Sequence, residues 1–335
     1  MLEEPKRFAV GQRPTPEPGD GEVRVRVHDC GVCGSDLKMW SGTHAFLRPP
    51  LLIGHEIYGI VEALGPGAQL GIGTPVVVFP ALGCGHCYHC LAGKQQLCAD
   101  MRFFGGQLPG GLAEHVVIPE ANLLVVSAGV PETQRVLIEP LAVAVHGVAR
   151  ADVRTGETAI VLGGGAIGLF TALVARERGL DPILVSEPSA SRRERATALG
   201  LRAFDPTMTP LAEIVAEHIR PEGADVVFEA VGSGETIGAA LAATRKGGRA
   251  VIVGNAPAEL EIDGLALQRG DRSLIGVLMY DLSDLTEAMR LLQAGLLAAL
   301  PDESIVQPFT LEQVGAAFAT AKDGSLEAIR AVVRP

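Results

Sequence analysis

Residues 158–168 read Thr-Ala-Ile-Val-Leu-Gly-Gly-Gly-Ala-Ile-Gly. A short apolar run ends at Leu162, three consecutive glycines follow, and a helix-like stretch extends from Ala166 to Arg178. Apolar runs of this length that end in glycine are typical of buried strands. The stretch therefore predicts a strand that turns sharply into a helix, as at the start of a β-α-β unit.

The alternation continues along the second half of the chain. Further strands are expected at 182–186, 224–228, 249–253 and 274–280, with helices at 189–199, 235–245 and 285–293. Strands that alternate with helices of this length predict a parallel sheet wound on both faces, and hence an α/β fold.

The first half of the chain is predicted to be all-β. Val23 to Val27 alternates apolar and charged residues, and similar runs occur at 57–64, 75–79 and 115–118. We expect residues 1–145, joined by 285–335, to form a β-rich domain. Residues 146–284 are expected to form the parallel-sheet domain.

Composition limits the classes of function. The 335 residues are 47% hydrophobic and 20% charged, with a formal net charge of −11. That charge argues against nucleic acid or an anionic membrane as a partner. No run approaches the ~20 apolar residues of a membrane helix, and residues 1–10 lack a secretory signal. Six cysteines, four of them clustered, favour a reducing cytoplasm.

The glycine turn fits the pattern G-x-G-x-x-G. Gly163 would permit the tight turn, Gly165 the approach of a pyrophosphate, and Gly168 close packing of helix on strand. A helix N-terminus also offers free N–H groups and the positive end of a dipole to phosphates. We therefore expect a dinucleotide to contact Gly163, Gly165, Ala166, Ile167 and Gly168.

Glu187 ends the second strand of this unit. A carboxylate there accepts hydrogen bonds from ribose hydroxyls and repels a 2′-phosphate, which favours NAD over NADP. Arg192 and Arg193 favour the opposite choice, because guanidinium groups can hold that phosphate. The sequence predicts NAD, with Glu187 and Arg192 at the adenosine end.

Two candidate metal sites lie in the first half. Cys84, Cys87, Cys90 and Cys98 form C-x2-C-x2-C-x7-C, a spacing typical of a structural Zn²⁺ site with no open position. Cys33, His55 and Glu56 are a plausible ligand set for a second Zn²⁺ that keeps one position open. Alternatively, Cys30-x-x-Cys33 is a redox pair and His55-Glu56 an ordinary strand end.

The motifs together resemble the zinc-dependent medium-chain dehydrogenase/reductase family, which includes alcohol and polyol dehydrogenases. The resemblance covers nearly the whole chain and includes CGVCGSDL at 30–37, GHExxGxxxxxG at 54–65, the four-cysteine loop and Glu139-Pro-Leu141. It implies a GroES-like catalytic domain and a Rossmann nucleotide-binding domain, with the active site in the cleft between them.

The resemblance also implies roles for individual residues. Cys33 and His55 would bind the catalytic zinc together with Glu56, and Glu139 would bind it directly or through water. Asp36 would accept a hydrogen bond from the His55 ring and fix its tautomer. Cys30 would then be a buried small residue.

The implied reaction is hydride transfer between NAD(H) and a secondary alcohol, diol or polyol, or the corresponding ketone. Ser35 occupies the position that begins a proton relay, although it could instead cap a helix that starts at Asp36. Lys38 stands where many members carry a relay histidine. The alternative function is a relative that binds NAD without catalysis.

Other positions depart from the family or line its cleft. Met279 replaces the arginine that sorbitol dehydrogenases use, and Gly73-Thr-Pro-Val76 replaces a Gly-Asp-Arg-Val turn. The candidate pocket residues are Trp40, His44, Phe103, Phe104 and Tyr280. Core roles are the alternative for Phe103 and Phe104, and a surface role for His44. A homodimer or homotetramer is expected through the apolar edge run 274–279.

Overall fold

The fold consists of seventeen strands and ten α-helices, and the computed structural model describes all residues from 1 to 335. The strands are β1 (Leu2–Glu4), β2 (Arg7–Phe8), β3 (Glu22–Gly31), β4 (Glu56–Leu64), β5 (Pro75–Val78), β6 (Ala81–Leu82), β7 (Arg102–Phe103), β8 (His115–Pro119), β9 (Leu123–Val125), β10 (Ala159–Leu162), β11 (Ile183–Ser186), β12 (Arg202–Phe204), β13 (Ala224–Glu229), β14 (Thr244–Ile252), β15 (Ser273–Gly276), β16 (Val306–Thr310) and β17 (Arg330–Arg334). The helices are α1 (Gly34–Trp40), α2 (Tyr88–Leu91), α3 (Ile138–Arg150), α4 (Ala166–Glu177), α5 (Ala190–Ala198), α6 (Leu211–His218), α7 (Gly234–Ala243), α8 (Gly264–Arg269), α9 (Leu282–Gln293) and α10 (Val314–Asp323).

The chain divides into two compact units. The first unit contains Met1–Glu139, Asp281–Gly295 and Pro301–Pro335, and the second contains Pro140–Tyr280 and Leu296–Leu300. The first unit is therefore discontinuous in sequence, because the chain leaves it to form the second unit and then returns.

The first unit is built on a seven-stranded sheet. Its strand order is β16-β17-β3-β4-β5-β9, and β8 also pairs with β3. Along β3, Val23, Val25 and Val27 are buried in the core, as the alternating pattern predicts. The strand β17 pairs antiparallel with the end of β3, so Val332 lies opposite Gly31.

The second unit contains a six-stranded sheet in which every pair of neighbours is parallel. Its order is β12-β11-β10-β13-β14-β15. All four residues of β10 are buried, as expected when helices cover both faces of a sheet. The order reverses beside β10, and nucleotides bind at such switch points, at the carboxyl ends of the strands.

Two expectations about secondary structure were wrong. The first half is not all-β, since α1, α2 and the start of α3 lie within it. The last apolar run forms a strand only as far as Gly276, and Met279 has a positive φ of 50°, which a strand does not allow. None of the helices combines the length and the apolar character needed to cross a membrane.

Candidate active site

The ends of two paired strands bring together the predicted catalytic zinc ligands. Cys33 directly precedes α1, His55 directly precedes β4, and Glu56 is the first residue of β4. Gly31 at the end of β3 pairs with Glu56, so the two strands deliver their ligands to one place. The Sγ, ring nitrogen and carboxylate oxygen of Cys33, His55 and Glu56 all lie within 4.8 Å of one another.

Asp36 holds two of these ligands in position. Its Oδ2 accepts the backbone N–H of Cys33 at 3.0 Å, and its Oδ1 lies 3.2 Å from Nδ1 of His55. Asp36 is completely buried, so this arrangement is protected from water. Burial lowers the pKa of His55, but the Asp36 carboxylate and the Cys33 thiolate raise it well above its usual value. The contact orients the ring with Nε2 available to a metal.

The carboxylate of Glu56 is completely buried beside a cation. Nη2 of Arg330 lies 2.7 Å from its Oε1, and Nη1 of Arg330 donates to the carbonyl of Val32 at 3.3 Å. The 2.7 Å approach is an ion pair without hydrogen-bond alignment, so both Glu56 oxygens lack a hydrogen-bond partner. A buried carboxylate in this state needs further positive charge, and it lies beside a thiolate and an imidazole. These donors fit Zn²⁺ with an open position.

Arg330 was not among the residues identified from the sequence. It belongs to β17, and only the pairing of β17 with β3 carries it to the metal site. No sequence motif marks it. A side chain at Gly31 would collide with Oε2 of Glu56, so this glycine leaves room for the carboxylate.

The other predicted catalytic residues have different surroundings. Glu139 is 3% exposed in the first turn of α3, but it is not among the three mutually close ligand groups. Ser35 and Lys38 are half-buried on α1. The helix begins at Gly34 with Cys33 as its N-cap, so Ser35 is not the cap. Cys30 packs in the core, and burial raises the pKa of its thiol, which disfavours a redox pair.

The four-cysteine loop forms a second compact cluster. The sulfur atoms of Cys84, Cys87, Cys90 and Cys98 all lie within 4.8 Å of one another. The backbone N–H groups of His86 and Cys87 outweigh desolvation and lower the pKa of the Cys84 thiol to about 6. Four sulfur atoms that converge in this way fit a closed tetrahedral Zn²⁺ site.

The glycine turn has the geometry that its sequence predicts. Gly163 has φ of 99°, a conformation that favours glycine. A Cβ on Gly168 would collide with the carbonyl oxygen of Gly163, so the helix can start close to the strand only with glycine there. Gly165 is the N-cap of α4. A Cβ built on it would have no protein atom closer than 4.0 Å, so the space in front of this glycine is open. Ala166 and Ile167 form the first turn of that helix, which leaves backbone N–H groups for phosphates.

The predicted ribose-binding carboxylate faces this turn. Glu187 accepts the N–H of Gly164 at 2.6 Å and the N–H of Ser189 at 2.9 Å. Nη1 of Arg192 lies 3.7 Å from the same carboxylate. Arg193 instead donates to the carbonyls of residues 187 and 188 and pairs with Asp205 at 3.0 Å. Arg193 is thus engaged within the fold, while Arg192 lies beside the nucleotide turn.

Comparison with known proteins agrees with this geometry. Residues 19–132 match the alcohol dehydrogenase GroES-like domain, and residues 166–294 match the zinc-binding dehydrogenase domain. The chain is 36% identical over 330 residues to 2-dehydro-3-deoxy-L-galactonate 5-dehydrogenase of Pseudoalteromonas atlantica, covering 98% of this chain and 96% of that protein. The chain belongs to the zinc-dependent medium-chain dehydrogenases.

Two further relatives support the assignment of this dehydrogenase. L-Galactonate-5-dehydrogenase of Escherichia coli K12 is 31% identical over 301 residues, covering 89% of this chain and 88% of that one. A Sinorhizobium meliloti 1021 protein described as a zinc-binding dehydrogenase, and solved with NADP, superposes with a TM-score of 0.90 at 28% identity, covering 100% and 98% of the two chains. The predicted family, fold class, alcohol or polyol dehydrogenase activity, and zinc and NAD(P) cofactors are confirmed.

The candidate pocket residues of the dehydrogenase divide into two groups. Phe103 packs edge-on to His55, with ring centroids 5.4 Å apart, and it is partly buried against the core of the first unit, while His44 is half-buried. Trp40 and Phe104 belong to the core of the first unit, and Tyr280 is completely buried in the second. Phe103 and His44 are therefore the two that remain candidates for substrate contact.

Proposed function

We propose that this dehydrogenase oxidises a secondary hydroxyl of a diol, a polyol or a sugar acid with NAD, and reduces the corresponding ketone. The observation that carries the proposal is the convergence of Cys33, His55 and Glu56 within 4.8 Å, braced by Asp36. The names of two relatives, both galactonate 5-dehydrogenases, support a polyhydroxy substrate.

The chain's own residues prepare the site for this reaction. Cys33, His55 and Glu56 would hold the zinc, and Glu139 would supply a further carboxylate directly or through water. When bound, the zinc supplies Lewis-acid stabilisation of charge on the substrate oxygen. Asp36 keeps the His55 ring in one orientation, and Arg330 balances the charge of Glu56.

Ser35 and Lys38 are proposed to pass the hydroxyl proton towards solvent. Both are half-buried on α1, on either side of Asp36 and Leu37 in the sequence. A hydroxyl can accept and donate a proton in the same step, and a lysine nearby favours departure of the proton.

NAD is the proposed cofactor because Glu187 lies at the nucleotide turn. Its carboxylate is fixed by two backbone N–H groups, at 2.6 Å and 2.9 Å, and a 2′-phosphate would have to approach that negative charge. Arg192, 3.7 Å from Glu187, already has a carboxylate to neutralise.

We further propose a cytoplasmic homodimer or homotetramer. All six cysteines are free, which suits a reducing compartment. The strand β15 is at the edge of its sheet, with β14 on one side only, so its other side can pair with a second copy. Light scattering that finds a monomer would exclude this assembly.

The direct test is NADH formation, followed by absorbance, over a panel of diols, polyols and sugar acids with NAD and with NADP. Cys33→Ser should abolish turnover while NADH binding persists, and zinc chelation should do the same. Cys30→Ser is the matched control, because its thiol is buried outside the ligand set. Full activity of Cys33→Ser would contradict the proposal, and a preference for NADP would contradict the role of Glu187.

A further inference from the structure

The loop of residues 43–48 is fixed to the helix that braces the metal site. The backbone N–H groups of Thr43 and His44 donate to the carbonyl of Lys38, at 2.9 Å and 3.1 Å. The same helix, α1, carries Asp36, whose carboxylate contacts His55. The loop therefore has a defined position beside the ligands.

A second contact ties the loop to the ring of His55. Phe103 packs on that ring with centroids 5.4 Å apart. Gly106 lies between Phe103 and Leu47. A Cβ built on this glycine would collide with the Phe103 ring and would lie 3.0 Å from Cδ1 of Leu47, so the two side chains approach each other there. The loop thus borders the metal site both through α1 and through Phe103.

The loop offers donors that the fold does not use. Nδ1 of His44 accepts the backbone N–H groups of Phe46 at 3.3 Å and Leu47 at 3.1 Å. A ring nitrogen that accepts carries no proton, so Nε2 carries it and is left as a donor. Burial, followed by the positive charges of Arg48 and Lys38, lowers the pKa of His44. The ring is therefore neutral near pH 7.

Arg48 adds a positive charge to the same loop. Its Nη1 donates to the carbonyl of Leu47 at 2.9 Å and to the carbonyl of His44. These bonds hold the side chain against the loop and use one of its three nitrogen atoms. Arg48 forms no ion pair with a carboxylate, so its charge is available to an anion.

The charges around the metal site indicate what kind of substrate the guanidinium of Arg48 would favour. The chain carries a net charge of −11, and Asp36, Glu56 and Glu139 are buried acids around the metal site. With Zn²⁺ bound, these three carboxylates and the Cys33 thiolate would carry four negative charges against three positive ones, two from the metal and one from the buried Arg330, so the site keeps a negative balance. An anionic substrate would be repelled from such a site unless a cation at its border compensated. A neutral polyol would need no such cation.

We propose that Arg48 and His44 bind the carboxylate of the substrate, so that the enzyme acts on polyhydroxy acids in preference to neutral polyols. The inference rests on the proposed dehydrogenase function and specifies its substrate class. The guanidinium supplies charge and two-pronged donors, and Nε2 of His44 supplies a neutral donor.

The test compares kcat/KM for L-galactonate, for neutral galactitol and for galactitol 1-phosphate. The wild type should prefer the carboxylate. Arg48→Gln should lower kcat/KM for L-galactonate by about 10- to 100-fold and leave galactitol unchanged. His44→Asn keeps an acceptor for the two backbone N–H groups and should cause a smaller loss of the same selectivity. Arg13→Gln, an exposed arginine elsewhere in the first unit, is the control for net charge.

Three results would overturn the inference. The first is an equal kcat/KM of the wild type for L-galactonate and galactitol. The second is an equal loss of kcat/KM on both substrates in Arg48→Gln. The third is a preference of the wild type for galactitol 1-phosphate. If no substrate is oxidised, the proposed function fails separately. Calorimetric binding of L-galactonate to the zinc-loaded wild type and to Arg48→Gln then decides the inference, because equal or absent binding contradicts it.

Discussion

The buried pair of Glu56 and Arg330 allows a quantitative prediction about zinc-free protein. Arg330→Met replaces the guanidinium with an uncharged side chain of similar length. Glu56, completely buried, then loses the cation that lies 2.7 Å away. The variant should be destabilised, and the loss should be much smaller when zinc is bound.

The size of the effect follows from the geometry. At 2.7 Å and an effective dielectric constant of ~20, the Coulomb attraction of two unit charges is about 6 kcal/mol. Removing one partner of a buried pair costs roughly 3–5 kcal/mol, because the remaining charge stays buried. The lost hydrogen bond from Arg330 to the Val32 carbonyl contributes about 1 kcal/mol within that range.

Urea unfolding of chelated protein, followed by tryptophan fluorescence, measures this effect. Trp40 is the only tryptophan and lies in the core of the first unit, so its signal reports that unit. With a slope of ~2 kcal/mol per M, the midpoint should fall by about 2 M. Arg7→Met, which breaks two surface ion pairs with Glu3 and Glu4, should shift it by less than ~0.3 M.

A double variant separates charge from packing. Glu56→Gln combined with Arg330→Met removes both charges and should recover most of the lost stability. A midpoint that does not move in Arg330→Met, or that the double variant fails to restore, would refute the role given to the ion pair.

Three further predictions concern other parts of the molecule. Cys98→Ser should lower the metal content by one zinc ion per chain, measured by mass spectrometry; unchanged content would contradict the four-sulfur site. Gly168→Ala should weaken NAD binding at least ~10-fold, because its Cβ meets the Gly163 carbonyl, whereas Gly238→Ala, with open space, should not. Burial raises the pKa of Asp225, but the N–H and hydroxyl of Thr158 and two arginines lower it well below its usual value. Its stabilisation is present above pH ~4 and is lost as pH falls further, so Asp225→Asn should flatten the acid dependence of thermal unfolding.

Local patterns were the part of the site that the sequence could predict. The four cysteines lie within fifteen residues and form one cluster, so spacing alone identified them. The turn from Gly163 to Gly168 was also predictable, because its function depends on backbone conformation over a few residues. The parallel sheet followed from the alternation of apolar runs and helical stretches.

The sequence could not predict the contacts between residues that are distant along the chain. Arg330 reaches Glu56 only through the pairing of β17 with β3, and no local pattern encodes that pairing. The helices α2 and α3 were missed because the surrounding strand and turn patterns dominate the first half, and α1 was considered only as an alternative explanation of Ser35. Gly31 is required by the side chain of Glu56, a residue that is distant in sequence.

The discontinuity of the first unit has a consequence for protein synthesis. The ribosome makes Glu56 early, then the entire second unit, and only afterwards the strand that carries Arg330. Throughout that interval the sheet lacks β17, and Glu56 has no arginine to neutralise it. The first unit therefore cannot reach its native state while the chain is being translated, and a truncation that removes residues 330–334 would affect the metal site as directly as a substitution at one of its ligands.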